Sequence, residues 1–198
     1  MKDLKEIISN HPQEHIELFK KLRKEQNPHT LFITCSDSRI IPNIITSTMP
    51  GDLFLIRNVG NIVPNPDSSA ISVLAAVEYA VNILRISDIV ICGHSNCGAI
   101  GAVCNPASYD KAKNSSLDEW LKHVKITHKE LVHDAVTSKL DFASQANVLQ
   151  QIKNLSEHKF ISEKIKSHQL ELHAWWFDIG VTTVKYFSIE SQRFIDYV

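Results

Sequence analysis

The sequence predicts an α/β protein built on a mostly parallel central sheet, with about four parallel strands, an antiparallel edge strand and flanking helices. Two observations carry that expectation. Short, apolar, β-rich runs alternate with segments of helical spacing along the first half of the chain. Near the carboxyl end, two further strand-like runs face each other across Asp178-Ile-Gly180, as a hairpin would place them.

In chain order, Ile16, Phe19 and Leu22 fall at helical spacing between His15 and Glu25, and Asn27-Pro28 closes that helix. Thr30–Cys35 reads as a buried strand that stops at the polar cluster Ser36, Asp37, Ser38 and Arg39. A turn at Met49-Pro50-Gly51-Asp52 leads into a second strand, Leu53–Arg57. After the loop Pro64–Asp67, Ser68 or Ser69 is placed to cap a helix from Ala70 to Leu84. A third strand, Asp88–Gly93, runs into Gly93-His94-Ser95-Asn96-Cys97-Gly98. Asn105–Ser116 is polar and reads as a loop, followed by helices over Leu117–Asp134, Phe142–Leu155 and Glu157–Lys166. Gln169–Phe177 and Val181–Ile189 are the late strands. With no linker or repeat in view, the economical organisation is one domain over 1–198. It comprises a helical arm (1–27), a core bearing the site (28–104), a helical region (105–168) and C-terminal strands (169–198).

Composition narrows the function classes. A chain of 198 residues, 43% hydrophobic, buries a sizeable core without disulfide staples. With 21 basic and 22 acidic residues, it has no charge excess to draw it to nucleic acid or to an anionic membrane. The most apolar stretch, Ala70–Leu84, is interrupted by Ser72, Glu78, Tyr79 and Asn82 and is too short to cross a bilayer. The opening MKDLKEIISNHPQEH has neither a secretory apolar core nor transit-peptide character. The expectation is a cytoplasmic protein, in which the 4 cysteines are thiols or metal ligands.

Parallel sheets place chemistry outside the carboxyl ends of their strands. Two strand ends here bear soft or borderline metal ligands: Cys35 on the first, His94 and Cys97 on the third. A lone His-x-x-Cys, or one cysteine at a strand end, is usually packing. The conjunction is what counts, because both strand ends open into small polar loops. If the first and third strands are neighbours, Cys35 meets the other two at one point. Two thiolates and an imidazole then form a tetrahedral Zn²⁺ site with one position left over, the catalytic pattern. Cys92 and Cys104 read as core. Two thiolates cancel the metal's formal charge, so such a site profits from a carboxylate that orients the bound water. Asp37 is within reach, and Arg39 is placed to hold it in a bidentate pair.

Cys35-Ser-Asp-Ser-Arg39 together with Gly93-His-Ser-Asn-Cys-Gly98 resembles the paired signature of the β-class carbonic anhydrases. The similarity runs from Gln26 to Gly101, through Pro50-Gly51-Asp52, Arg57-Asn-Val-Gly-Asn61 and Glu78-Tyr79-Ala80-Val81; the carboxyl third resembles the family only in its strand pattern. The resemblance implies an obligate dimer or dimer of dimers, one zinc on Cys35, His94 and Cys97, and Asp37 with Arg39 as the catalytic pair. It implies reversible hydration of carbon dioxide to bicarbonate by zinc-bound hydroxide. Gln26 and the Gly98 amide match the family's donors to substrate, and Phe54, Val59 and Tyr79 its apolar wall. Gln26, Phe54 and Tyr79 would come from the second subunit. Some family members close the site by moving the aspartate onto zinc, and pair this with a bicarbonate pocket built on a Trp, an Arg and a Tyr. Phe32, Arg57 and Phe177 stand at those positions here, which leaves that pocket short of donors and implies an open site.

Two alternatives stand beside this reading: hydrolysis of carbon disulfide or carbonyl sulfide on the same scaffold, and a zinc-stabilised interaction protein without turnover. Asp37, Arg39 and the spare fourth position speak against the second. Nucleotide binding at Gly93–Gly101 fails for want of a Gly-Lys-Ser/Thr or a full dinucleotide fingerprint. The proton-carrying group is not readable; His123, His128 and His133 read as solvated surface residues.

Overall fold

A computed structural model describes residues 13–111, 113–125 and 137–197. Its frame is a 6-stranded sheet in the order β2-β1-β3-β4-β5-β6. The strands are β1 (Thr30–Cys35), β2 (Leu53–Asn58), β3 (Asp88–His94), β4 (Glu171–Asp178), β5 (Thr183–Ser188) and β6 (Arg193–Asp196). β2, β1, β3 and β4 pair in parallel, while β4–β5 and β5–β6 are antiparallel. The sheet therefore has two antiparallel pairings where the sequence suggested one: β5 alone runs against the other strands, and the short run Arg193–Asp196 adds itself outside β5 and takes the edge. β1 and β3 are buried along almost their whole length, as parallel strands covered on both faces must be.

The helices are α1 (Gln13–Leu22), α2 (Pro42–Thr46), α3 (Ile71–Glu78), α4 (Gly98–Cys104), α5 (Ser115–Leu121), α6 (Lys139–Ser156) and α7 (Lys159–Lys166). α3 is shorter than the pattern from Ala70 to Leu84 suggests, because its last turn widens into a π-helical turn at Tyr79–Ile83. Neither Ser68 nor Ser69 caps it; Ala70 occupies the N-cap, and Ser68 Oγ instead accepts the Ala70 N–H at 3.0 Å. The predicted helix over Leu117–Asp134 is described only as α5, and its continuation through His128 and His133 lies outside the described residues.

Alternation along the strands puts one cluster of the core on each face, and a third gathers around Cys35, Cys97, Ile62 and Ile100. Leu31, Ile33, Ile89, Ile91 and Trp176 meet Val73, Val77 and Val81 from α3 and its π turn, and Ala146 and Val148 from α6. Phe32, Val90 and Cys92 pack on the other face with Trp175 and Phe177. Each large apolar side chain fully buried in this way contributes about 1.5–3 kcal/mol. Cys92 is core as expected, and burial pushes its thiol up to about 12. Cys104 is not: it is exposed in the last turn of α4. α6 lies directly on β3 because residue 93 is glycine; a Cβ there would meet Val148 Cγ2 at 2.6 Å.

Candidate metal centre

β1 and β3 are neighbours, so their carboxyl ends open side by side. One ligand atom each from Cys35, His94 and Cys97 then lies within 4.8 Å of the other two, and all three residues are buried. His94 Nδ1 lies 2.9 Å from the Ser95 carbonyl oxygen. A carbonyl only accepts, so Nδ1 carries the proton and Nε2 keeps its lone pair. That Nε2 is buried and has no hydrogen-bond partner. A polar atom left bare in the interior is costly. A cation among two sulfurs and one imidazole nitrogen removes that cost, so the donor set fits Zn²⁺. The thiols respond to each other. The hydrogen bond from Cys97 holds Cys35 well below its ordinary value despite burial, with help from the Gly60 N–H. The same bond to Cys35, together with burial, pushes Cys97 up.

Each donor is fixed by its loop. Asn96, between His94 and Cys97, adopts φ 51°, a left-handed turn that asparagine tolerates and that brings both donors to one side. Gly60 at φ 86° directs its N–H to Cys35 Sγ at 3.5 Å. Asn58 closes that turn, with Oδ1 accepting the Ile62 N–H at 2.7 Å and Nδ2 donating to the Ile62 carbonyl at 2.8 Å. Arg57 is part of this scaffold: Nε donates to the Cys35 carbonyl at 3.2 Å and Nη2 to the Asp37 carbonyl at 2.7 Å. Ser95 links the loop to β4 through its N–H to the Phe177 carbonyl at 3.0 Å.

Arg39 grips Asp37 at both oxygens, Nε to Oδ1 at 2.9 Å and Nη2 to Oδ2 at 2.7 Å. That hydrogen bonding keeps the Asp37 carboxyl well below the usual carboxylate range, against a smaller opposing effect of burial. Asp37 Oδ2 is 3.9 Å from His94 Nε2, yet Asp37 does not join the three-donor group. Of the remaining residues singled out in the sequence, Gly98 and Val59 adjoin the donor loops, whereas Phe54 and Tyr79 stand apart. Gln26 is exposed, and Gly98 opens α4 with free space where a side chain would stand. Val59 is half-exposed, and its carbonyl accepts the Trp120 indole N–H at 2.8 Å. Phe54 and Tyr79 stack with centroids 5.9 Å apart. Phe54 pairs with Leu31 and Asn58 with Cys35, so within one chain Phe54 sits about 13 Å along the sheet from Cys35.

Sequence reasoning missed a set of residues on α6. Asp141, Ser144 and Asn147 bond the backbone of both donor loops. Their signal was present as a polar stripe at helical spacing, which ordinarily marks a solvated face.

Fold and centre together define an α/β protein with a three-donor group suited to a metal at the carboxyl ends of a parallel sheet. The profile of the carbonic anhydrase family matches residues 30–184. The chain is 39% identical to a carbonic anhydrase of Pseudomonas aeruginosa, over 90% of this chain and 82% of that one. It is 40% identical to carbonic anhydrase 1 of Escherichia coli O157:H7, again over 90% and 82%. Among solved structures, the β-carbonic anhydrase CcaA superposes with a TM-score of 0.84 at 34% identity, covering 98% of this chain and 96% of that one. One of two tetrameric β-carbonic anhydrases from Sordaria macrospora gives 0.72 at 38% identity, over 88% of each chain. The chain belongs to the carbonic anhydrases of the β class.

Proposed function

We propose that Cys35, His94 and Cys97 hold about one zinc ion per chain, and that the protein interconverts carbon dioxide and bicarbonate through a water oriented by Asp37 and Arg39. One observation carries this reading: the buried, unpartnered His94 Nε2 facing the sulfurs of Cys35 and Cys97. When bound, zinc supplies a Lewis-acidic position that makes water a competent nucleophile near neutral pH.

The chain's own residues do the rest. Asp37, kept ionised by Arg39, accepts the hydrogen of the attacking water and leaves its lone pair directed at carbon. Arg39 Nη2 also donates to the Asn96 carbonyl at 3.2 Å, which ties the carboxylate to the turn between His94 and Cys97. With both oxygens engaged by Arg39, Asp37 is retained beside the donors, which favours the open form of the site. The Gly98 N–H and Gln26 take up charge developing on the substrate oxygens.

Phe54 and Tyr79 stand too far from their own centre to wall it, so we assign them, with Gln26, to the site of a second copy. The exposed apolar side chains Phe19, Leu55, Ile71 and Ile83 support a homodimer or a dimer of dimers. No described helix is long and apolar enough to cross a membrane, and the free cysteines favour a reducing, cytoplasmic setting. No observation favours carbon disulfide or carbonyl sulfide as substrate, or a zinc-bound protein without turnover.

Stopped-flow hydration of carbon dioxide, on dialysed protein assayed for zinc, tests the reading. Hydration that requires zinc and rises with pH is expected. Zinc-loaded protein without hydration, or full hydration by zinc-free protein, would refute it.

A further inference from the structure

α6 bears Asp141, Ser144, Asn147, Gln151 and Asn154 at steps of three and four residues, which is one line along a helix. Ser144, Asn147 and Gln151 are 1%, 0% and 0% exposed. Polar side chains are costly to bury unless their hydrogen bonds are met, and here they are met by the backbone of two loops. Asp141 Oδ1 accepts the Asn96 N–H at 2.7 Å. Ser144 Oγ donates to the His94 carbonyl at 2.8 Å and accepts the Trp176 indole N–H at 3.2 Å. Asn147 Nδ2 donates to the Gly60 carbonyl at 3.0 Å, and Gln151 Nε2 holds Asn147 Oδ1 at 2.8 Å. Further along, Gln151 Oε1 accepts the Val63 N–H and Asn154 Nδ2 donates to the Val63 carbonyl, each at 2.9 Å.

The line thus divides by what it reaches. Its first three residues hold peptides that bear or flank the donors: Asn96 separates His94 from Cys97, and the Gly60 N–H points at the Cys35 sulfur. The only loop peptide its last two bond is that of Val63, beyond the site, although Gln151 also steadies the Asn147 side chain. We propose that Asp141, Ser144 and Asn147 are positioning residues for the metal. They lock the His94–Cys97 turn and the Gly60 turn to one rigid helix, so the three donors stand converged before the ion arrives. Because α6 is seated on Gly93 of the strand that ends in His94, the same helix fixes the height of both loops over the sheet. This inference rests on the zinc reading above.

The test measures zinc affinity by competition with a chromophoric chelator, and the absorption spectrum of the cobalt-substituted protein, on the full chain. Asp141→Ala and Asn147→Leu are expected to bind zinc about 10–100-fold more weakly and to shift the cobalt bands. Asp141→Asn keeps an oxygen acceptor for the Asn96 N–H and is expected to restore both readouts. Asn154→Leu removes a buried bond from the same line that ends on Val63, so it is expected to lower the unfolding temperature while leaving affinity and spectrum as in the parent. Zinc weakened as much by Asn154→Leu as by Asn147→Leu would make the line a fold element only and overturn the proposal. Parental affinity in both Asp141→Ala and Asn147→Leu would overturn it equally. If Asn147→Leu does not fold, the Asp141 pair decides, since that side chain lies on the partly exposed first turn. Parent protein that holds no zinc removes the metal reading itself, whereas zinc held equally by every variant removes only this inference.

Discussion

β3 carries a group of ligating side chains at each of its ends. At the carboxyl end Cys35, His94 and Cys97 converge; at the amino end Asp88, Glu171 and His173 come equally close. Asp88 and Glu171 face each other in register on β3 and β4. The two groups differ in what their lone pairs are doing. At the amino end, His173 Nε2 is satisfied by Asp88 Oδ1 at 2.8 Å, and the other Asp88 oxygen accepts the Ser87 hydroxyl. Both side chains are about one-third exposed, at 32% and 35%. At the carboxyl end, the imidazole is 0% exposed and its Nε2 has no partner. Proximity of ligand types is therefore shared by both ends. What sets the carboxyl end apart, and what the zinc proposal rests on, is a buried imidazole donor left unspent beside two thiols, inside loops whose backbone is held from outside.

Removing a donor breaks the comparison most sharply. Cys35→Ala is expected to lose bound zinc and with it hydration down to background, whereas His173→Ala is expected to keep about one zinc per chain. Metal analysis after gel filtration checks both. Zinc lost from the His173 variant would put a metal at the wrong end of the strand. Next in size is Asp37→Asn, which preserves shape but removes the charged acceptor. It is expected to keep zinc while hydration falls about 10²–10⁴-fold. Full turnover in that variant would end the role given to the Asp37–Arg39 pair.

The asymmetry between the strand ends explains what the sequence could say. The strands were legible as Thr30–Cys35 and Asp88–Gly93, the second one residue short of β3, because short apolar runs rich in β-branched residues have few other uses, and their ends displayed Cys35, His94 and Cys97 directly. The hairpin of β4 and β5 was legible from its alternation. β6 was not, since Arg193–Asp196 is short, polar at both ends and gains its partner only from β5. The π turn at Tyr79 leaves no local signature, and α2, although Pro42 opens it, is only five residues long and too short for a periodic one. Asp141, Ser144 and Asn147 escaped notice for a different reason: polar residues at helical spacing imply solvent, and only the tertiary fold turns that face inward. Cys104 failed in the opposite sense, an apolar-type residue that the last turn of α4 leaves outside.

A smaller effect sharpens the support given to Cys35. Gly60 adopts φ 86°, and a Cβ there would stand 3.3 Å from Ala99 Cβ. Gly60→Ala is expected to destabilise the fold by about 1–2 kcal/mol from the left-handed backbone, and to release zinc faster as the N–H leaves the sulfur. Urea unfolding followed with chelator-monitored zinc release separates the two consequences. An alanine variant with parental stability and parental zinc release would show that this turn does not depend on glycine.

The smallest expected effect belongs to the other end of β3. Burial raises the Asp88 pKa, but hydrogen bonds from Ser87 and His173 outweigh it, and the net value lies below that of an ordinary carboxyl. A carboxyl whose folded value is depressed adds stability above its unfolded value, about 3.9, and loses that contribution as pH falls through the lower folded value. Asp88→Asn is therefore expected to cost less than about 1 kcal/mol near neutrality, because solvent screens a partly exposed pair. Parent and variant are expected to converge below the carboxylate range, where the parent's side chain is itself uncharged. Zinc content is expected to be equal at every pH at which the parent holds its metal. Urea midpoints across that range decide it. A gap that persists in acid would assign the loss to packing instead of charge, and a loss of zinc would erase the distinction between the two ends of the strand.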